Sequence, residues 1–220
     1  MPLVATLVAV ALVAGLILHL SGRASGGDDA KCAELAHLSA ERASADVGSG
    51  PRVAVIGDSY AFGTGLARPA TSWPSRLSGR VHVDGYPGSG FSALASNCPG
   101  VSYADRAADA ARGADLVVVE GGLNDVDRRS TKIRAGFRRL IRALAGKEIL
   151  IVGPAAAPER AEGVPRIDAL LARLSEHASV RYLRMSYLVL SYLDDRLHLT
   201  RAGHDTFGRR VAKVVEARLD

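Results

Sequence analysis

Five short, continuously apolar segments recur along the chain from Arg52 onward, and this pattern constrains the fold more than any other feature of the sequence. The five segments are Val53–Ile56, Val81–Val83, Leu116–Val119, Ile149–Val152 and Val180–Leu183. Strands that are buried on both faces of a sheet carry such unbroken apolar runs, whereas strands with one solvated face alternate apolar and polar residues. The segments therefore predict a parallel sheet that is covered on both faces by helices.

The stretches between these segments have the periodicity of amphipathic helices. The clearest is Ile133–Leu144, where apolar residues form one face and arginines the other. Further helices are predicted at Ile167–His177, in residues 200–219 and, before the first strand, in residues 30–45. Strands that alternate with helices are joined by right-handed crossovers, and such sheets bind ligands at the carboxyl ends of their strands. The loops at that edge are therefore expected to carry the functional residues.

The N-terminal segment Leu3–Leu20 contains no charged residue. About 20 apolar residues span a bilayer, so this segment is predicted to be an apolar helix, either a transmembrane anchor or the core of a signal peptide. No lysine or arginine precedes it, which suggests the hypothesis that the natural start lies upstream. We expect a secreted or membrane-anchored, extracytoplasmic protein, with membrane contact through residues 3–20 if they are not cleaved.

The length and composition indicate one globular domain with appendages. Of the 220 residues, 48% are hydrophobic and 23% are charged, which is sufficient for a packed core. The predicted organisation is a signal peptide or anchor in residues 1–23, a linker with a short helix in residues 24–51, and an α/β domain in residues 52–220. The net charge of +5 is spread along the chain without a basic stripe, so nucleic acid is not an expected partner.

The chain has two cysteines, Cys32 and Cys98. An even count in a chain with an export-like segment predicts a disulfide between them, and the alternative is two unrelated buried thiols. Neither cysteine has a second Cys or a His at ligand spacing, so no metal site is expected.

Two loops at the predicted edge of the sheet carry a candidate nucleophile and a glycine-rich backbone. Gly57-Asp58-Ser59 follows the first strand and places Ser59 where a helix begins, near free backbone N–H groups. An Asp-Ser pair in this position is also common as a turn or helix cap. The segment Gly85–Ser92 contains three glycines, which let backbone N–H groups approach a ligand, although a surface loop has the same composition.

Two further loops carry side chains suited to acyl chemistry. In Gly121–Asp125, Asn124 can direct its amide into the same cleft, or else serve as a helix cap or Asx-turn. Asp195 and His198 are three residues apart, so the carboxylate can hold one ring nitrogen and leave the other free, as a general base requires. His204 is interpreted as a structural residue. Together the four loops supply a nucleophile, a base, an orienting acid and several hydrogen-bond donors.

These motifs resemble, in order, the four sequence blocks of the SGNH (GDSL-like) hydrolases. The matching residues are Gly57-Asp58-Ser59, Ser89–Ser92 with Gly90, Gly122–Asp125 and Asp195–His198. The resemblance runs from Arg52 to the C-terminus. It implies an α/β fold, a three-layer α/β/α sandwich with a five-stranded parallel sheet of flavodoxin-like topology. It also implies hydrolysis of carboxylic esters without a metal or any other cofactor.

The resemblance implies a role for each matching residue. Ser59 is the expected nucleophile, His198 the general base, and Asp195 the group that orients His198. Three donors are expected to form the oxyanion hole: the backbone N–H groups of Ser59 and Gly90 and the side-chain amide of Asn124. Gly88 is the alternative to Gly90, because the loop has an extra glycine. Tyr60 stands where leucine is common, a difference that is expected to alter the pocket wall but not the chemistry.

The function implied is that of a serine esterase that forms an acyl-enzyme, with preference for short acyl chains or O-acetyl groups. The expected substrate is a small-molecule, glycan or lipid ester. Alternatives that use the same site are a lysophospholipase or lipase-like activity and an acyltransferase. An alternative of another class is a non-catalytic binding module at the cell surface.

Overall fold

The computed structural model describes residues 28–219. The predicted anchor or signal peptide in residues 1–23, including the apolar segment 3–20, lies outside the described residues. Among the helices of residues 28–219, none combines the length and apolarity needed to cross a membrane.

Five parallel strands form a single sheet in the order β2-β1-β3-β4-β5. The strands are β1 (Arg52–Gly57), β2 (Arg80–Gly85), β3 (Leu116–Glu120), β4 (Glu148–Val152) and β5 (Arg181–Leu183). They coincide with the five apolar segments, so the predicted sheet is confirmed. In β1, Val53 pairs with Val81 on one side and with Leu116 on the other. The strand order reverses between β1 and β3, and the ligand crevice of such sheets lies at this reversal.

Helices cover both faces of the sheet, as the continuous apolar strands predicted. The helices are α1 (residues 28–43), α2 (Ser59–Phe62), α3 (Tyr103–Ala110), α4 (Ser130–Ala143), α5 (Val164–His177) and α6 (Arg201–Leu219). Alternate residues of β1 enter two separate cores. Val55 packs in the core that contains Phe207 of α6, and Ile56 packs in the core that contains Phe137 of α4. The three-layer α/β/α fold is therefore confirmed.

Helix α1 lies outside both cores and is attached at its two ends. The predicted disulfide is confirmed, because Cys32 of α1 is bonded to Cys98 in the loop before α3. Beyond the other end of α1, Val47 forms an antiparallel bridge with Val81 of the edge strand β2. The carboxylate of Asp46 accepts a 2.9 Å hydrogen bond from Nε of Arg52. These contacts place the start of α1, with Cys32, at the carboxyl edge of the sheet and its other end near the amino ends of β1 and β2.

Candidate active site

A cavity of about 410 Å³ opens at the carboxyl edge of the sheet. Four of the residues predicted to act in catalysis line it, Ser59, Gly88, Asn124 and His198, and so do the two predicted disulfide cysteines, Cys32 and Cys98. The structure thus brings together the loops after β1, β2 and β3 and the loop before α6. Asp195 lies behind His198, and Gly90 is buried beside the cavity rather than in its wall.

Ser59 is the first residue of α2, directly after the turn that leaves β1. Asp58 caps this helix, and its Oδ1 accepts a 2.9 Å hydrogen bond from the backbone N–H of Tyr60. A side chain at Gly57 would place its Cβ 2.5 Å from that of Ala61, so the tight turn requires glycine there. Within residues 28–219, Ser59 Oγ makes no hydrogen bond, and it lies on the cavity.

His198 and Asp195 form a close pair in the loop before α6. Nδ1 of His198 lies 2.6 Å from Oδ2 of Asp195, and Oδ1 accepts 2.9 Å hydrogen bonds from the backbone N–H groups of Leu197 and His198. Partial burial alone would raise the pKa of Asp195, but these hydrogen bonds hold it below its ordinary value. The carboxylate therefore stays ionised and fixes the imidazole, so that Nε2 is the ring nitrogen left for a substrate or for Ser59.

Ser59 and His198 line the same cavity, but their side chains are not hydrogen-bonded to each other in this structure. Catalytic hydrogen bonds in ligand-free enzymes are often long and tighten when the substrate binds. The ligand-free structure therefore places the Ser59 and His198 side chains at the same cavity, without a hydrogen bond between them.

Asn124 connects three of the four loops. Its Nδ2 donates a 2.8 Å hydrogen bond to the carbonyl oxygen of Ser89 and a 3.2 Å hydrogen bond to Oδ2 of Asp58. The side-chain amide is thereby held at the cavity wall, with both of its hydrogens directed at protein oxygens. To donate to a substrate oxygen, the amide would have to give up the longer of these bonds, the one to Asp58.

The two glycines proposed for the oxyanion hole occupy different positions. Gly90 is packed so closely that a Cβ would lie 2.6 Å from Oδ2 of Asp125, and its carbonyl accepts from the N–H of Tyr103. Gly88 lines the cavity with a φ of +81°, a conformation that favours glycine. In the part of the chain that the structure describes, the N–H groups of Gly88, Gly90 and Ser59 donate to no other residue. All three N–H groups are therefore unpaired among the described residues, and two of them belong to residues that line the cavity, Ser59 and Gly88.

Three buried carboxyl groups lie beneath the cavity: Asp58, Glu120 and Asp125. Burial raises the pKa of Asp58 to about 6, against the hydrogen bond from the N–H of Tyr60 and the attraction of His198. Burial likewise raises the pKa of Asp125 to about 6, although the N–H groups of Ser92 and Phe91 donate to its two oxygens.

Glu120, the third buried carboxyl group, lies next to Trp73 and Asp58. Burial, with the nearby charge of Asp58 added to it, raises the pKa of Glu120 well above its ordinary value. Its Oε2 accepts from Nε1 of Trp73 at 3.4 Å. Asp58 and Asp125 brace the loops that carry Ser59 and Gly90, while Glu120 supports α2 from below.

Tyr60 is not in the pocket wall, where it was expected. Its ring is buried in the core, with 1% of its surface exposed, and its hydroxyl donates a 2.6 Å hydrogen bond to the carbonyl of Leu197. Its edge faces His204 and Phe207, each with ring centroids 6.1 Å away. His204 is buried as a structural residue and accepts the N–H of Trp73 at 3.3 Å.

Arg106 supports the site although it belongs to none of the four sequence motifs. From α3, its Nη2 donates to the carbonyl of Gly57 at 3.0 Å and to Oγ of Ser89 at 3.1 Å. Its Nη1 donates to the carbonyl of Asp84 at 2.8 Å. One guanidinium therefore fixes the ends of β1 and β2 and the start of the glycine loop. No local sequence signal distinguishes it from the other arginines on helix surfaces.

No metal site is evident: within residues 28–219, His, Cys, Asp and Glu side chains do not gather in groups of three or more around a possible ion. The hydrogen bonds described above account for the carboxyl groups near the cavity.

Comparison with solved structures identifies the fold. The chain superimposes on a carbohydrate acetylesterase family member from Sinorhizobium meliloti with a TM-score of 0.66 at 21% identity, covering 77% of this chain and 99% of that one. The native aryl esterase of M. smegmatis matches with a TM-score of 0.65 at 17% identity, covering 76% and 99%. A family two carbohydrate esterase from Clostridium thermocellum, in complex with cellohexaose, matches with a TM-score of 0.62 at 16% identity, covering 79% and 66%.

The amino-acid sequence was also compared with known proteins and protein families. No curated protein matches the chain significantly. The model of the GDSL-like lipase/acylhydrolase family matches residues 55–206, which include all four loops of the candidate site. The chain therefore belongs to the GDSL-like lipase/acylhydrolase family and is a carboxylic ester hydrolase with the SGNH fold.

Proposed function

We propose that this chain is a serine esterase that cleaves short-chain carboxylic esters, including O-acetyl groups, through an acyl-enzyme on Ser59. The observation that carries the proposal is the 2.6 Å contact between Nδ1 of His198 and Asp195, on the cavity that Ser59 also lines. A fixed tautomer with a free Nε2 beside a serine hydroxyl is what nucleophilic acyl transfer requires.

The reaction proceeds in two halves. Oγ of Ser59 attacks the acyl carbon and its proton passes to Nε2 of His198, while the ionised Asp195 stabilises the imidazolium. His198 then protonates the leaving alcohol. Water, activated by the same nitrogen, attacks the acyl-enzyme, and the acid leaves as Ser59 regains its proton.

The oxyanion of each tetrahedral intermediate would bind the N–H of Ser59 and a donor from the glycine loop. Gly90 and Gly88 both offer an N–H that is free among the described residues, and Gly88 lies on the cavity. Asn124 would supply the third donor by exchanging its 3.2 Å hydrogen bond to Asp58 for one to the oxyanion.

The size of the cavity supports a small acyl group. Its volume of about 410 Å³ is near the lower end of the roughly 300–1,000 Å³ that ligand sites span, and it must also hold part of the alcohol. The S. meliloti structure that shares the fold is called a carbohydrate acetylesterase, which also favours acetylated sugars as substrates.

The test is hydrolysis of p-nitrophenyl esters from acetate to palmitate, and of an acetylated oligosaccharide, by the full chain in detergent. Ser59→Ala should lower kcat by several powers of ten, up to about 10⁶, and Ser44→Ala, on the exposed turn after α1, should not. An optimum at long chains would instead indicate a lipase-like enzyme. Activity only when an acceptor alcohol is added would indicate an acyltransferase. Absence of hydrolysis by the wild type, with and without an acceptor alcohol, would favour a non-catalytic binding module.

We infer that the domain of residues 52–220 works outside the cytoplasm, secreted or anchored through residues 3–20. The disulfide between Cys32 and Cys98 supports this location, since disulfides persist in oxidising compartments. Mass spectrometry of the native N-terminus, together with protease accessibility in intact cells, tests both points. Complete protection from added protease, without release into the medium, would contradict the inference.

A further inference from the structure

Helix α1 forms one side of the active-site cavity. Asp28, Lys31, Cys32 and Leu35 all line it together with Ser59 and His198. Their spacing of i, i+3, i+4 and i+7 places the four side chains on a single face of the helix. The helix that precedes the domain in sequence is therefore part of its active site.

We propose that α1 is the wall that limits the length of the acyl chain, with Leu35 as its apolar stop and the Cys32–Cys98 disulfide as the device that holds it in place. This inference rests on the proposed esterase function and goes beyond it, because it assigns substrate specificity to residues outside the four catalytic loops.

The position of α1 is not fixed by burial in a core. Ser39 is the one buried residue among residues 28–43, and neither hydrophobic core includes a residue of this helix. A second cavity of about 610 Å³ lies between α1 and the edge of the sheet, with Ser39 and Ala43 on one side and His82 and Tyr86 on the other. Because a cavity separates much of α1 from the sheet, contacts other than core packing must hold the helix in position.

The attachments at the cavity end of α1 are covalent and polar. Cys32 is bonded to Cys98, 66 residues away, and its carbonyl accepts a 3.3 Å hydrogen bond from the hydroxyl of the buried Tyr86. The other end is held by the bridge between Val47 and Val81. Without the disulfide, one weak hydrogen bond remains at the end that faces the substrate, so α1 would move away from the cavity.

The chemistry of the reaction indicates which part of the substrate meets α1. His198 must reach the leaving oxygen, so the alcohol lies towards the loop that carries Asp195 and His198. We place the acyl group away from His198, along the part of the wall formed by Ala95, Ser96 and Cys98, to which the disulfide joins α1. The acyl chain therefore meets the face of α1 that contains Leu35.

The experiment measures kcat/KM of the full chain for p-nitrophenyl acetate and octanoate and compares their ratio between variants. Leu35→Ala should raise the octanoate-to-acetate ratio about 10-fold and Leu35→Trp should lower it about 10-fold, as expected for changes in an apolar pocket. Leu38→Ala and Leu38→Trp are matched controls, since Leu38 lies on the same helix, is 37% exposed and does not line the cavity. The double variant Cys32→Ala/Cys98→Ala should also raise the octanoate-to-acetate ratio about 10-fold.

A second readout uses alkyl fluorophosphonates with methyl and octyl chains, whose attachment to Ser59 is followed by intact mass. The proposed role of α1 is overturned if the wild type and all Leu35 variants show the same chain-length preference in hydrolysis or labelling. The esterase proposal would still stand in that case. Absence of both hydrolysis and labelling in the wild type overturns the two together. If the cysteine double variant fails to fold, the Leu35 variants still decide the question, because they leave the disulfide intact.

Discussion

The hydroxyl of Tyr60 donates a 2.6 Å hydrogen bond to the backbone carbonyl of Leu197. Tyr60 follows the proposed nucleophile Ser59, and Leu197 precedes the proposed base His198, so this bond joins two loops that are 137 residues apart in sequence. The ring of Tyr60 is buried against Phe207 of α6. The spacing between nucleophile and base is therefore set by a side chain that does not face the cavity.

Tyr60→Phe should lower kcat about 10-fold with little change in KM, because the loop that carries His198 loses its link to α2. Loss of one hydrogen bond should also lower the free energy of unfolding by about 0.5–1.5 kcal/mol. Steady-state kinetics on p-nitrophenyl acetate and urea denaturation measure the two effects. Tyr187→Phe is the control, since Tyr187 is 56% exposed. A Tyr60→Phe variant with unchanged kcat would show that the bond does not position His198.

Asn124→Ala should lower kcat about 10²–10³-fold, the usual cost of removing one oxyanion donor. It also removes the hydrogen bond to the carbonyl of Ser89, so its stability should be measured beside its activity. Asn97→Ala is the comparison, because Asn97 lines the same cavity but is not an expected oxyanion donor, so its loss should cost much less. Equal losses for the two variants would mean that Asn124 acts as part of the wall and not as a donor.

The sheet could be predicted from sequence because its strands are buried on both faces, which leaves unbroken apolar runs such as Val53–Ile56. Ser59, Asn124 and His198 could be placed together because parallel strands bring their following loops to one edge. The cysteine count sufficed for the disulfide, since Cys32 had a single possible partner in Cys98.

The residues that escaped prediction act through partners distant in sequence. Arg106 resembled other helix-surface arginines, yet it donates to Gly57, 49 residues away. Tyr60 was expected in the pocket wall, because nothing local indicates that its hydroxyl reaches Leu197. Helix α1 was expected to be part of a linker. Its position at the cavity depends on the disulfide to Cys98, which the local sequence pattern of the helix does not reveal. The positions of Arg106, Tyr60 and helix α1 are all determined by tertiary contacts and not by the local sequence pattern.

Glu120→Gln should stabilise the protein increasingly as the pH rises above about 4.5. The pKa of Glu120 is raised by burial and by the charge of Asp58, so the folded state holds its proton more tightly than the unfolded chain. The stability that this proton confers is complete below the unfolded pKa and is lost as the pH rises towards the folded pKa. Glutamine does not titrate and keeps an acceptor for Nε1 of Trp73, which now lies 3.4 Å from the carboxylate.

Thermal unfolding of wild type and Glu120→Gln at a series of pH values measures this difference. The exposed Glu176→Gln serves as the control and should show no such trend. A difference in Tm between Glu120→Gln and wild type that stays constant from acid to neutral pH would contradict the raised pKa.

His204 should make the protein sensitive to acid. Its contribution to stability is lost as the pH falls, whereas that of Glu120 is lost as the pH rises. Burial lowers the pKa of His204 from 6.5 to about 4, and the Nδ1 of the buried ring accepts the N–H of Trp73. A lowered pKa means that the folded state binds the proton less well, so the contribution is present above pH 6.5 and is lost as the pH falls towards 4. The loss amounts to about 2–3 kcal/mol, since each pKa unit corresponds to about 1.4 kcal/mol.

His204→Asn isolates this contribution, because an asparagine oxygen can take the place of Nδ1 as the acceptor and does not titrate. The variant should be less stable than wild type at pH 7, since the smaller side chain leaves part of the ring's space empty. Its free energy of unfolding in urea should nevertheless fall less than that of wild type between about pH 6.5 and 4. His177→Asn, at the exposed end of α5, should follow the wild-type curve. Parallel curves for His204→Asn and wild type across this interval would show that His204 is not held neutral by the core, and that the acid sensitivity of the fold arises elsewhere.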